Sequence, residues 1–228
     1  MAFFTVKTDE ENIRDYSGEN SSFINKSGIY EVIIKHVIVS RSANGSESID
    51  LWIEYNGKEQ PIYQAMRLTN NNGSPNLGQK MFNKFCVVAG ATEGSEISDP
   101  VPMMVPMGKG GENVECMVLQ DFDDTPMFIR IQMEYSLWEG KIREAKVVKN
   151  FFRIEDKATA SEIVNNVEEK GTQYAKEEEY ADNVTYKNDL TEEDVQEWLK
   201  TRRSGKKEEP ESKPSVGFGQ KRTFGRKV

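Results

Sequence analysis

Residues 29–39 have the sequence Ile29-Tyr-Glu-Val-Ile-Ile-Lys-His-Val-Ile-Val39. The predicted arrangement of the later strands depends on this stretch. Because β-branched side chains fit the pleated surface of a sheet, this run predicts a strand that is buried over much of both faces. Asn44-Gly45 follows, and both residue types tolerate the positive φ of a tight hairpin turn. The strand therefore has an antiparallel partner directly after it.

The next residues complete a three-stranded meander. Apolar and polar residues alternate from Ile49 to Tyr55, which predicts a strand with one face in a core and the other in solvent. Asn56-Gly57 predicts a second tight turn. The alternation from Ile62 to Leu68 predicts the third strand.

The spacing of the apolar residues then changes to that of a helix. Ser74-Pro75 predicts an N-cap followed by proline in the first turn, and Gly90 predicts the end of the helix at about Ala89. The apolar positions of this helix are Leu77, Met81, Phe85 and Val88.

Strand-like alternation resumes after a Pro/Gly-rich stretch at residues 99–111. It covers Val114–Leu119, Met127–Leu137 and Lys141–Ile154, and Trp138-Glu-Gly140 predicts a hairpin between the last two. Three strands, a helix and two or three more strands predict a mainly β (α+β) domain, an OB-fold-like small barrel with one helix. A different α+β arrangement stays open.

Charge and composition divide the chain into four parts. Residues 1–154 hold 16 Lys/Arg and 21 Asp/Glu, residues 155–200 hold 5 and 14, and residues 201–228 hold 9 and 3. We predict a polar leader (1–27), an OB-like nucleic-acid-binding domain (28–154), an acidic segment with short helices (155–203) and a disordered basic Phe/Gly tail (204–228). The helices of the acidic segment are expected at Ala158–Val167 and Thr191–Lys200. Opposite-charge blocks of this kind are typical of proteins that bind partners.

The cellular setting is predicted from what the sequence lacks. No apolar run is long enough to span a bilayer, and the N-terminal residues resemble no secretion signal. Cys86 and Cys116 form no CxxC motif, which disfavours a disulfide scaffold or a zinc ribbon. We therefore expect a cytoplasmic protein that does not contact membranes.

Enzyme signatures are weak. The single histidine, His36, lies within an apolar strand and is interpreted as a packed or edge-exposed side chain. Gly108-Lys-Gly-Gly111 lacks the spacing of a phosphate loop and is interpreted as a flexible hairpin. Asp121-Phe-Asp-Asp124 could gather a divalent cation, but it is also typical of an ordinary turn. The sequence predicts no enzyme, no catalytic residue, no metal site and no cofactor.

Aromatic and basic residues occupy the predicted solvent face of the sheet. Bases of single strands stack on aromatic rings at about 1–3 kcal/mol each, while Lys and Arg neutralise phosphates. The predicted nucleic-acid-binding residues are Trp52, Tyr63, Arg67, Arg130, Trp138, Lys141, Arg143, Lys149, Phe151 and Arg153. The alternative is that residues 155–200 or another subunit cover Trp52 and Trp138.

Phenylalanine alternates with basic residues at the end of the chain, within Gly217–Val228. This composition predicts an auxiliary nucleic-acid-binding arm. A solubilising tail and a protein-docking motif remain alternatives. The arm's binding residues are expected to be Lys221, Arg222, Phe224 and Arg226.

The order of three motifs resembles that of bacteriophage single-stranded-DNA-binding proteins. These motifs are Gly28-Ile-Tyr-Glu-Val-Ile-Ile, Ile49-Asp-Leu-Trp-Ile-Glu-Tyr and Leu77-Gly-Gln-Lys-Met-Phe-Asn-Lys-Phe-Cys-Val-Val-Ala-Gly90. The resemblance implies an OB-type core that coats single strands without sequence preference in the cytoplasm of an infected bacterium. Many such proteins end in an acidic tail that recruits replication partners, whereas here the acidic segment is internal and the last residues are basic.

Together these patterns predict a non-enzymatic protein that binds single-stranded DNA without sequence preference in phage replication or recombination. Replication or recombination proteins are expected to bind its C-terminal third. The alternative is an acidic interaction or DNA-mimic protein that binds a host or phage enzyme, because residues 1–154 are themselves net negative.

Overall fold

The structure, a computed structural model, describes residues 22–108 and 111–203. The strands are β1 (Gly28–Arg41), β2 (Glu47–Tyr55), β3 (Lys58–Arg67), β4 (Val101–Val105), β5 (Val114–Leu119), β6 (Thr125–Trp138), β7 (Lys141–Arg153) and β8 (Thr185–Lys187). The helices are α1 (Leu77–Val88), α2 (Ala160–Val164), α3 (Thr172–Glu178) and α4 (Glu192–Arg203), and a 3₁₀ turn spans Gln120–Phe122. The prediction of a mainly β domain with few helices is confirmed.

All eight strands belong to one sheet built around β1. β2 pairs along one edge of β1, and β3 pairs with β2. The other edge is shared, because residues 28–34 pair with β6 and residues 37–39 pair with β5. These pairings are antiparallel, as are β4 with β5 and β6 with β7, whereas β8 joins β6 in parallel. β4 is a strand that the sequence did not predict.

The two tight turns have the backbone that their sequences predict. Asn56 and Gly57 have φ of 49° and 69°, and Glu139 and Gly140 have φ of 50° and 72°. Two successive positive φ values match the right-handed twist of the flanking strands. The predicted hairpins β2–β3 and β6–β7 are confirmed. The predicted β1–β2 hairpin also forms, but of Asn44 and Gly45 only Gly45 has a positive φ, 81°.

Helix α1 begins two residues later than predicted. Its N-cap is Asn76, whose side chain accepts a hydrogen bond from the Gly78 N–H at 3.4 Å, so the prediction of Ser74 as N-cap is wrong. Ser74 instead hydrogen-bonds to Asn72 within the preceding loop. A β-carbon on Gly78 would lie 2.0 Å from the Arg67 carbonyl oxygen, so the helix can approach β3 this closely only with glycine there.

The main core lies between the inner face of the sheet and α1. Its most deeply buried members, Ile34, Leu51, Phe85, Ile129 and Phe151, have exposed fractions of 0%. The Phe85 ring packs edge-on against Phe151 at a centroid distance of 5.2 Å. Burial of these side chains is the main source of stability for the sheet.

Residues 22–27 fill the gap between β3 and β7, which no ladder hydrogen bonds join in the described chain. The Gln60 side-chain oxygen accepts from the Ile24 N–H at 3.0 Å and from the Lys146 Nζ at 3.3 Å. The Ser27 hydroxyl accepts from the Met133 N–H at 2.9 Å. Lys146 of β7 and Gln60 of β3 are therefore in direct contact.

The first compact unit of the chain extends to Leu190, and Thr191 begins a second. In the first, the Thr159 hydroxyl and the Glu162 carboxylate form a capping box at the start of α2. In the second, Thr191 and Asp194 hydrogen-bond at the start of α4 in the same manner. No helix in the described residues has the length and apolarity needed to cross a membrane.

Candidate nucleic-acid interface

The predicted binding residues are divided between buried and exposed positions. Trp52, Arg130 and Phe151 are buried, with exposed fractions of 6%, 8% and 0%. The prediction that these three lie on the solvent face is wrong. Each is buried for a different physical reason.

Trp52 is covered by β4 and β5, Val101–Val105 and Val114–Leu119, which together we call the apolar cover. Trp52 packs with Ile38, Val105 and Val118 in a second apolar cluster on the outer face of the sheet. Its indole N–H donates to the Glu59 carboxylate at 2.7 Å, so the polar atom is satisfied. β2 therefore faces apolar surroundings on both sides, although its sequence alternates.

Phe151 is buried because a β-bulge inverts the alternation of β7. Arg130 pairs with Asn150 and Ile131 pairs with Val148, which leaves Lys149 as one extra residue on β7. One inserted residue moves all later side chains to the opposite face. Phe151 therefore enters the core.

Arg130 is covered by residues 155–182, which we call the polar cover. Its guanidinium lies 3.1 Å from the Glu177 carboxylate and 4.5 Å from the centre of the Tyr180 ring. The Asn150 side chain donates to the same carboxylate at 2.8 Å. Tyr174 of α3 packs against Phe152 at 5.1 Å between ring centres, so aromatic contacts hold the helix on the sheet.

Two further predicted basic residues already have carboxylate partners. Lys149 lies 3.0 Å from Glu134, and Arg153 lies 2.5 Å from Asp156. The hydrogen bond from Arg153 lowers the pKa of Asp156 from 3.8 to about 2. A phosphate approaching either cation would compete with these carboxylates.

The tip of the β6–β7 hairpin presents an exposed aromatic–cation pair. Trp138 is 55% exposed, and the Arg143 guanidinium lies 5.5 Å from the centre of its ring. Lys141 is exposed beside it as the ladder partner of Trp138. These three predicted residues are brought together, and we call them the hairpin group.

The second exposed group lines a cleft of about 640 Å³ between the β1–β2 turn and the end of β3. Tyr63 is 58% exposed at this cleft, and Arg67 is exposed beside it. Arg67 donates to the Asn71 side chain at 2.6 Å, and Arg41 pairs with Glu47 at the rim. We call Tyr63, Arg67 and Arg41 the cleft group.

The sequence prediction missed Arg41, Asp50 and Gln64, which also line this cleft. The one sequence signal for this cleft was Asp50, which lies between the apolar residues Ile49 and Leu51. Asp50 is 7% exposed, and a polar group is rarely buried without a partner to satisfy it.

The two exposed groups lie beyond opposite ends of β1. β6 runs antiparallel to β1, with Thr125 opposite Ile34 and Ile131 opposite Gly28, so Trp138 extends past the start of β1. The cleft group lies where β1 ends. The structure therefore divides the predicted set instead of joining it into one patch.

The acidic turn after β5 directs its carboxylates to separate partners. Asp123 lies 3.2 Å from the His36 ring, Asp124 pairs with Lys35, and Asp121 accepts from the Ser98 N–H at 2.8 Å. Its interpretation as a turn is confirmed. Among residues 22–108 and 111–203, no three His, Cys, Asp or Glu side chains are grouped so that they could hold a metal ion.

The predicted arm residues Lys221, Arg222, Phe224 and Arg226 lie outside the described residues. Comparisons of the chain with protein-family models and with curated proteins found no match. Function is therefore inferred from the exposed side chains of the described residues.

Proposed function

We propose that residues 28–154 form an OB-type barrel that binds single-stranded DNA without sequence preference in phage replication or recombination. In the sheet, the long strands lie in the order β3-β2-β1-β6-β7, which supports a barrel. Along the chain, α1 lies between β3 and β6, the third and fourth long strands. On this proposal the β4–β5 hairpin is an insertion after α1. Gln60, which contacts both residues 22–27 and Lys146, bridges the first and last strands of this order.

The observation that carries the proposal is an exposed aromatic ring with an arginine in each of two separate places. OB folds bind oligonucleotides on the face of their second and third strands and through the loops after the first and fourth strands. The cleft group lies at β3 and the β1–β2 turn. The hairpin group lies at the turn between β6 and β7, the fourth and fifth barrel strands of this proposal.

These groups suit a single strand better than a duplex. Unpaired bases can stack on Tyr63 and Trp138 at about 1–3 kcal/mol each, whereas duplex bases are already stacked on one another. Arg67 and Arg143 would each neutralise a phosphate and release its counterion. The logarithm of the binding constant should then fall with that of the salt concentration by about 0.7 for each phosphate contacted.

A titration of labelled oligo-dT and of a duplex of the same length, each at two salt concentrations, tests the proposal. We expect the single strand to bind at least ten-fold more tightly. Trp138→Ala and Tyr63→Ala should each weaken oligo-dT binding about thirty-fold, which corresponds to the middle of the stacking range. Val164→Ala, a change at a 70% exposed position on α2, is the matched surface control and should bind as the wild type does.

Equal affinity for duplex would contradict the proposal, as would unchanged binding in both aromatic variants. Binding of neither form of DNA would favour the acidic interaction or DNA-mimic alternative. The proposal also assigns to the C-terminal third a contact with replication or recombination proteins. Its support is the excess of acidic residues in 155–200.

A further inference from the structure

The cleft group is built on an irregular part of β3. Ile49 pairs with Met66 and Leu51 pairs with Ile62, so Asp50 of β2 faces three residues of β3, namely 63–65. Gln64 has a φ of 49°, a left-handed conformation that costs a residue other than glycine of order 1 kcal/mol. Bulges that re-aim a side chain are common beside functional sites. Here the bulge places Tyr63 and Gln64 on the cleft.

Asp50 holds this bulge in place from inside the sheet. One oxygen of its carboxylate accepts from the Gln64 N–H at 2.5 Å, and the other accepts from the Ser40 hydroxyl at 2.6 Å. Within the described residues, no lysine or arginine lies within salt-bridge distance of Asp50. A carboxylate has about four acceptor positions, so its two protein donors leave room for further donors from the cleft.

The cleft therefore combines three kinds of group that suit one nucleotide. Tyr63 offers a ring for a base, Arg67 offers a guanidinium for a phosphate, and Asp50 offers an acceptor that carries negative charge. Carboxylates accept hydrogen bonds from the N4 amino group of cytosine in protein–DNA recognition. A carbonyl oxygen in the same place would meet the carboxylate without a hydrogen bond between them.

We propose that this cleft is a base-reading subsite in which Asp50 accepts a hydrogen bond from the exocyclic amino group of a cytosine stacked on Tyr63. The subsite rests on the proposed function and adds to it a preference at one nucleotide position. Cytosine binds there in preference to uracil or thymine, which carry an oxygen at position 4. Asp50 is thus a specificity-determining residue within a protein that otherwise tolerates any sequence.

Oligo-dC and oligo-dU of equal length provide the test, because their bases have the same size and differ at ring positions 3 and 4. Titration at one salt concentration and about pH 8 should show oligo-dC binding about five-fold more tightly, the lower end of base discrimination by a good contact. Asp50→Asn keeps the side-chain shape and should bring the two affinities within two-fold of each other. Trp138→Ala should weaken both equally and preserve their ratio.

A second measurement needs no change in the protein. Oligo-dC with N4,N4-dimethylcytosine has no amino hydrogen, and the wild type should bind it no better than oligo-dU. If Asp50→Asn fails to fold, as judged by its thermal transition, the affinity of the wild type for the dimethylated oligonucleotide still tests whether the amino group is recognised.

The outcomes separate the two proposals. Tight binding of oligo-dC and oligo-dU with equal affinity overturns the subsite and leaves the proposed function standing. A preference for oligo-dC that survives both Asp50→Asn and dimethylation also overturns it. Failure of the wild type to bind any single strand overturns the proposed function itself.

Discussion

The apolar cover and the polar cover bury the outer face of the sheet by different chemistry. Val118 of the apolar cover packs with Trp52 and with Ile38 of β1, and the indole N–H of Trp52 donates to Glu59. The polar cover places the Glu177 carboxylate and the Tyr180 ring against Arg130, and Asn150 of β7 donates to the same carboxylate. The first depends on filled volume. The second depends on hydrogen bonds and charge pairing, although the buried Nε of Arg130 has no hydrogen-bond partner among the described residues.

The difference shows which surface remains for a ligand. Both covers lie on faces whose sequence alternation predicts solvent exposure, and each removes an aromatic or basic residue from it. Of the predicted aromatic residues, Tyr63 at one end of β1 and Trp138 beyond the other remain exposed. On our proposal, a single strand contacts the parts of the barrel that the covers leave open.

The largest expected effect comes from breaking the apolar cover. Trp52→Ala should lower the free energy of unfolding by about 4 kcal/mol, because it leaves a cavity in a cluster with little freedom to collapse. Trp138→Ala is the matched control and should change that free energy by less than about 0.5 kcal/mol, since its ring is mostly exposed. Urea unfolding of both variants measures the contrast. If both variants lost a similar free energy of unfolding, burial of Trp52 under the apolar cover would not be what stabilises this part of the sheet.

In the polar cover, we expect a substitution that preserves side-chain shape but removes a charge to lower the free energy of unfolding. Glu177→Gln keeps the volume but leaves the buried Arg130 charge without its counter-charge, which should cost about 3 kcal/mol. The double variant Arg130→Met/Glu177→Leu removes both charges and should recover part of that loss, since Asn150 still loses its acceptor. Urea unfolding decides, and a double variant less stable than Glu177→Gln would contradict this account.

The smallest expected effect is on the pH dependence of the free energy of unfolding, and it involves Asp156 of the polar cover. Because Arg153 lowers the pKa of Asp156 from 3.8 to about 2, ionised Asp156 stabilises the fold above about pH 4, and this contribution is lost as pH falls toward 2. Asp156→Asn should be less stable than wild type by about 0.5–1 kcal/mol at pH 7, since both side chains are partly solvated. The difference should vanish near pH 2. A difference that stays constant from pH 7 to pH 2 would exclude the ion pair as its cause.

Local patterns predicted the strands and turns well, because they depend on nearby residues. The Asn56-Gly57 and Glu139-Gly140 turns follow from which residues tolerate positive φ, and the strands follow from alternation. β4 was missed because prolines and glycines surround it, and its pairing with β5 supplies the order that its composition does not. α3 was missed because Glu177 and Glu178 belong to a strongly acidic stretch that is typical of a solvated segment, although Tyr174 and Glu177 are buried.

The candidate site was harder to predict, since exposure depends on distant segments. Nothing near Trp52 in the sequence indicates that β4 and β5 will cover it. The bulge at Lys149 inverts the faces of Phe151 and Phe152, and no local signal marks the extra residue. Trp138 was predicted correctly as exposed because it belongs to a hairpin tip, where little else can reach it.

The shared edge of β1 has a consequence for the time at which this protein can fold during its synthesis. Gly28 pairs with Ile131, about a hundred residues further along the chain. At a translation rate of about 5–20 residues per second, the first half of β1 leaves the ribosome roughly 5–20 seconds before its partner on β6 exists. During that interval one edge of an apolar strand is open to other nascent chains. Slower translation through residues 42–131 should therefore increase aggregation of this protein even though the finished fold is unchanged.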